Sequence, residues 1–151
     1  MSRRALDFRA FDEVVADLDR LKHGYTKGGN WDLGQACWHL NALIRGSLDG
    51  FTGKPAPWIA RLFGPLFVRW MLKKRRMPAG FKTPAQFEPP AIADEAAEVW
   101  QLMQLIERFQ KHTGALHPSP FAGPLTNEQW RELHLVHCSH HLSFLHPTDE
   151  A

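Results

Sequence analysis

The chain predicts an all-α fold, a four-helix bundle with a long crossover connection that carries an extra short or bent helix. Three observations lead there. Apolar residues recur at three-and-four spacing in four separate stretches, and capping or breaking signals punctuate each stretch. No strand-length run of alternating residues, internal repeat or low-complexity tract competes with them. With 151 residues and 44% hydrophobic content, residues 1–151 read as one domain, able to bury roughly two-thirds of its unfolded surface without covalent staples.

The first helix is expected from about Leu6 to Tyr25. Phe8, Phe11, Val14, Val15, Leu18 and Leu21 line one side, and Thr26-Lys27-Gly28-Gly29 ends it. The second starts at Asp32, an N-cap with Gln35 at the third position and Trp31 and Ala36 placed as a hydrophobic staple. It runs to about Phe51 behind a stripe of Leu33, Cys37, Leu40, Ile44 and Leu48.

Residues 52–91 hold most of the irregularity, with enough proline and glycine to deny a long regular element, and form the crossover. Inside it, PWIARLFGPLFVRWML pairs its apolar residues at a spacing near four. The pattern suits an amphipathic helix interrupted at Gly64-Pro65, bent over the core and ending in a solvated cationic turn, Lys73 to Arg76. The run carries Arg61 and Arg69 and is shorter than the about 20 apolar residues a bilayer span needs.

The third bundle helix opens near Asp94 with Glu95 and Glu98 and closes with Arg108, Lys111 and His112, a charge order that complements the helix dipole. Val99, Leu102, Met103, Ile106 and Phe109 supply its buried face. After the loop HPSPFAGPL, Thr126 and Gln129 make a capping box while Leu125 and Trp130 staple it; this last helix is expected to run to about Leu145 and stop at His146-Pro147.

Cys37 and Cys138 are too few for a disulfide-built secreted scaffold, and MSRRALDF lacks the apolar core of a signal peptide, so the cytoplasm is the expected compartment. A net charge of +2 argues little for nucleic acid. Neither nucleic acid nor a membrane is the expected partner, and a homodimer is compatible with the sequence; a small-molecule substrate enters only with the resemblance below. The role of the Lys73–Arg76 cluster stays open.

Chemistry concentrates in LHLVHCSHHLSFL, which packs four of the nine histidines into Leu133–Leu145. At about 100° per residue His134, His137 and His141 share a sector of roughly 60°, facing the core with Trp130, while His140 lies on the flank. His137 and His141, one turn apart, can ligate one ion, and neutral imidazole suits zinc, nickel, copper or iron. A third ligand must come from elsewhere, with His39 in CWHLN the leading option. Its face, Gln35, Ala42, Leu43, Gly46 and Gly50, lies away from the main stripe, so His39 is buried only if its helix is covered on two sides. Cys37 is about 160° around that helix from His39, and Cys138 reads as a small core residue. Two readings are open at this point, a metal site or a buried network of imidazoles bonded to one another and to backbone carbonyls.

WHLN in the second helix and LTNEQWRELHLVHCSHHLSFL at the end make the chain resemble the DinB-like superfamily of damage-inducible four-helix-bundle metalloproteins, in a branch whose last helix is announced by Trp and ends in His-His-Leu followed by Phe. The resemblance implies that His39, His137 and His141 hold a divalent transition metal, zinc or nickel. It further implies thiol chemistry, an S-transferase using a low-molecular-weight thiol such as bacillithiol or mycothiol; hydrolysis would use the same ligands. The alternative is a non-catalytic bundle that binds a metal or ligand, or docks on a partner or membrane through residues 58–76. Many members have a polar His-Arg-Gly-Gln-like ending where this chain has His141-Leu142-Ser143-Phe144. His134 is the candidate for orienting a ligand or for acid–base work, beside the plainer role of a packed core residue. Trp38, Trp130 and Phe144 are expected to wall an apolar pocket, and Asp32, Asp49 and Glu132 lie near the relevant helices without a spacing that singles one out.

Overall fold

The computed structural model describes residues 2–148. Five helices follow one another: α1 (Phe11–Leu21), α2 (Leu33–Asp49), α3 (Trp58–Lys74), α4 (Glu95–Lys111) and α5 (Asn127–Leu142). A short 3-10 turn, Ala85–Phe87, interrupts the crossover, and a two-stranded ribbon pairs β1 (Tyr25–Lys27) with β2 (Leu145–Pro147). The all-α bundle stands. Its core joins Phe11, Leu18, Leu40, Ile44, Leu102, Ile106, Trp130 and Leu135, with α2 packed most extensively on α4 and α5 closing against α1 and α2.

Helix starts follow their capping chemistry. The Asp32 carboxylate accepts the Gln35 N–H at 2.8 Å while the Gln35 side chain accepts the Asp32 N–H at 3.1 Å. Thr126 and Gln129 repeat the exchange at 3.1 and 2.9 Å, each pair satisfying two donors that a helix leaves open. Asp94 accepts the Ala97 N–H and so opens α4.

Ends differ from expectation where distant segments compete for the backbone. α1 starts at Phe11, not Leu6, because the preceding residues run extended across the bundle, with the Arg4 N–H on the Ser143 carbonyl and the Phe8 N–H on Ser139 Oγ. Arg4 is fixed there by two 2.7 Å bonds to the buried Asp17 carboxylate. α5 stops at Leu142 because Leu145–Pro147 pairs antiparallel with Tyr25–Lys27, in the register Lys27 to Leu145 and Tyr25 to Pro147. Three-residue strands are too short to show alternation in the sequence.

α3 overturns the expectation that this segment covers the core. It continues through Pro65 as one helix, with Pro65 on its exposed side, and it buries only Gly64, Val68 and Met71. A Cβ on Gly64 would lie 1.9 Å from the Phe121 carbonyl oxygen, so α3 touches the 118–124 loop with its backbone. Val68, Met71 and Ala122 form a satellite cluster completed by Leu125 and Leu133. Nor is the cationic turn wholly solvated. Arg75, in the left-handed region at φ 48°, reaches Asp7 at 2.8 Å, the Phe8 carbonyl at 2.6 Å and Glu132, mooring the end of α3 to the bundle. Among the described residues, no helix is long and apolar enough to cross a membrane.

Candidate metal centre

His39 is buried because α2 is covered on two sides. Asn41 donates to the backbone and side chain of Glu98 in α4, while His39 itself meets Phe87 of the 3-10 turn and His137 of α5. Gly46 on the His39 face serves packing: the Phe51 ring folds back over it, and a Cβ there would fall 2.2 Å from that ring. The His39 Nδ1–H donates to the Phe87 carbonyl at 2.7 Å. A carbonyl only accepts, so this bond fixes the tautomer and leaves the lone pair on Nε2, aimed into the bundle.

That lone pair meets α5. His39 Nε2 lies 3.0 Å from His137 Nε2, and His141 Nε2 lies 2.9 Å from the same His137 atom. One ligand atom from each of the three residues lies within 4.8 Å of the others, and the group contains no carboxylate or thiol. An imidazole nitrogen carries either one proton or one lone pair, so His137 Nε2 cannot form a good hydrogen bond to both neighbours. A shared cation resolves this, because three lone pairs then point at one centre. Bonds of about 2.0–2.1 Å at tetrahedral angles place two ligand nitrogens roughly 3.3–3.4 Å apart, a few tenths of an ångström beyond the observed spacings. The three-histidine group could therefore bind a metal ion.

Electrostatics favour the ligating form. Burial holds His137 and His141 well below the ordinary imidazole pKa, reinforced by repulsion from neighbouring imidazoles. His39 is also lowered by burial, with the Phe87 bond acting the other way. All three rings are neutral near pH 7.

The aromatic wall is not the expected one. Trp31, just before α2, stacks on His141 at 5.2 Å and 17° and lies 5.1 Å from His39. Trp130 instead stacks on His134, Trp38 is half-buried, and Phe144 packs edge-on against His140. The sequence marks Trp31 only as a staple with Ala36; its place beside the histidines is not legible there, because it precedes the helix and has no periodic position.

His134 joins the core rather than the histidine cluster. The Ser47 hydroxyl donates to the Ile44 carbonyl at 2.7 Å and so accepts the His134 Nε2–H at 3.0 Å, while Trp130 and Phe109 enclose the ring. Burial pulls its pKa down to about 3. His140 donates from Nδ1 to the Met77 carbonyl at 3.1 Å, fastening the crossover to α5. Cys37 and Cys138 are buried thiols with pKa values raised by burial. The nearby carboxylates are engaged elsewhere, Asp32 as a cap, Asp49 with Arg108, and Glu132 with Arg75 and Arg131.

A surface groove of about 840 Å³ lies apart from this chemistry, its lining including Thr52, Lys54, Trp58, Arg61, Pro118 and Phe121. None of the three histidines lines it.

No curated protein and no solved structure matches the chain. A family model described as a protein of unknown function, DUF1569, matches residues 1–148, and the chain belongs to that family.

Proposed function

We propose that the chain is a DinB-like metalloprotein that binds one divalent transition ion, zinc or nickel, through His39, His137 and His141. In this reading it transfers a low-molecular-weight thiol to an electrophilic small molecule. The observation that carries the proposal is the doubly engaged His137 Nε2, with 3.0 and 2.9 Å contacts that protons alone cannot satisfy.

When bound, the ion supplies Lewis acidity that brings a thiol pKa toward neutrality. The chain's own residues set the stage. Three neutral imidazoles add no negative charge to offset a dication, so the site attracts an anionic sulfur. The Phe87 carbonyl keeps His39 oriented, and Trp31 shields two of the rings from water. In the transfer a sulfur–carbon bond forms as the carbon–leaving-group bond breaks. The thiol proton passes to solvent, since no carboxylate belongs to the cluster and His134 is committed to Ser47.

That lack of an acid–base partner also favours a second reading, a non-catalytic metal-binding bundle. Elemental analysis of protein never exposed to chelator tests the shared premise. About one transition ion per chain is expected, falling below about a tenth in His137→Ala or His39→Ala. Absence of stoichiometric metal in the wild type overturns both readings. Consumption of low-molecular-weight thiols with an alkyl halide then separates them: metal-dependent acceleration supports the transferase, and none leaves the binding protein.

A further inference from the structure

The least covered helix of the molecule carries large apolar side chains along most of its length. At about 100° per residue, Leu62, Leu66, Ile59, Trp70, Phe63 and Phe67 spread over roughly 140° of α3, opposite the buried Gly64, Val68 and Met71. Their exposure is high: Leu66 is 63% exposed and Phe63 57%, with Trp58 at 72% extending the face. Phe81 folds back from the following loop onto Phe67, 5.6 Å between ring centroids, and is itself 69% exposed. Isolated surface leucines need no explanation, but a contiguous aromatic and aliphatic ridge of this size marks a contact surface.

Charge says what the ridge meets. Between Asp49 and Glu88 the sequence holds eight lysines and arginines and no acidic residue. Arg69 sits at one edge of the apolar arc, Lys74 at the other, and Lys73 at its C-terminal end, all exposed. A second copy docked ridge to ridge would bring these cations against their own counterparts with no acid in the segment to neutralise them. A peptide calls for a groove, and the groove beside α3 takes in only its first turns, Trp58 and Leu62, leaving Phe63, Leu66, Phe67 and Trp70 outside it. The 17 residues of α3 span about 25 Å along the helix axis. Large apolar side chains along that length, with long cationic side chains able to reach headgroup phosphates, suit a helix lying in an interface.

We infer that the outer face of α3, continued by Phe81, docks on the surface of an anionic phospholipid bilayer. Binding needs no folding step, because Gly64, Val68 and Arg75 already hold the helix on the bundle. The mode is peripheral, with Trp58 and Trp70 at headgroup depth.

The test is flotation of the full chain with vesicles of phosphatidylcholine alone or mixed with phosphatidylglycerol, at low and high salt, read together with tryptophan emission. Wild type should float with the mixed vesicles at low salt, shift its emission to the blue, and release at high salt. Leu62→Glu with Leu66→Glu should weaken binding at least about tenfold, and Lys73→Gln with Lys74→Gln about tenfold with a shallower salt dependence. Arg75 is left intact because it holds the fold; unchanged thermal melts and metal content confirm that the variants remain native. Failure of wild type to float with mixed vesicles at low salt overturns the inference. So does undiminished flotation of the Leu62→Glu/Leu66→Glu variant. A stable dimer that this variant converts to monomer also overturns it, assigning the face to a second copy.

Discussion

α5 and α3 invert the usual rule about which helices go inside. α5 carries His134, His137, His140 and His141 and is buried along most of its length, whereas α3 carries two tryptophans, two phenylalanines and several aliphatics and leaves most of them in solvent. The difference lies in partners. In α5 His134 meets Ser47 and His140 meets the Met77 carbonyl, which removes most of the cost of desolvating them, while burial keeps His137 and His141 in the uncharged form. Among the described residues α3 leans chiefly on the 118–124 loop and α5, and Phe81, which packs on Phe67, leaves most of its outer apolar face exposed. Burial here follows position in the bundle and polar satisfaction, not average hydropathy.

The sharpest way to break the comparison lies within α3. Val68→Asp should cost about 3 kcal/mol or more, since it places an unpaired carboxylate in the satellite cluster. Leu66→Asp, half a turn away, should stay within about 0.5 kcal/mol. Urea unfolding of the two variants checks this, and equal losses would mean that the outer face is not solvent-facing. Next in size is Gly64→Ala, whose methyl group meets the Phe121 carbonyl. It should destabilise by about 1–3 kcal/mol and quicken proteolysis in residues 52–57 as α3 lifts.

In α5 the corresponding test is acid. The folded state keeps His134 unprotonated down to a pKa of about 3, while the unfolded chain takes up that proton below about pH 6.5. This residue therefore leaves stability unchanged above about pH 7 and lowers it as pH falls, by about 1.4 kcal/mol per unit until pH about 3. His134→Phe should flatten the acid limb of a urea-midpoint profile by that slope; an unaltered limb would show that the ring is protonated in the native core. Smallest is Thr126→Ala, which removes the cap of α5 and should cost about 1 kcal/mol in thermal unfolding without altering metal content.

Local chemistry made much of the fold legible. Asp32 with Gln35, and Thr126 with Gln129, announce their helices in four residues each, and both exchanges are made. The turn between His137 and His141 is likewise a local fact. His39 is different: it is the leading third ligand even before the resemblance, but spacing alone puts it off the main stripe and leaves its burial open, because part of its cover comes from Phe87, forty-eight residues away. Trp31, the ribbon that ends α5 early and the bare face of α3 depend on which segments meet across the molecule, and no window of sequence records that.

The His39 and His137 rings touch across ninety-eight residues of chain. Bringing such distant points together has an entropic cost that no single helix offsets, so the cluster exists only once the bundle has closed. During synthesis the chain emerges with one of the three imidazoles early and the other two near its end. A chain folded only as far as α4 therefore presents His39 without its two partners, and the three imidazoles converge only with α5 in place.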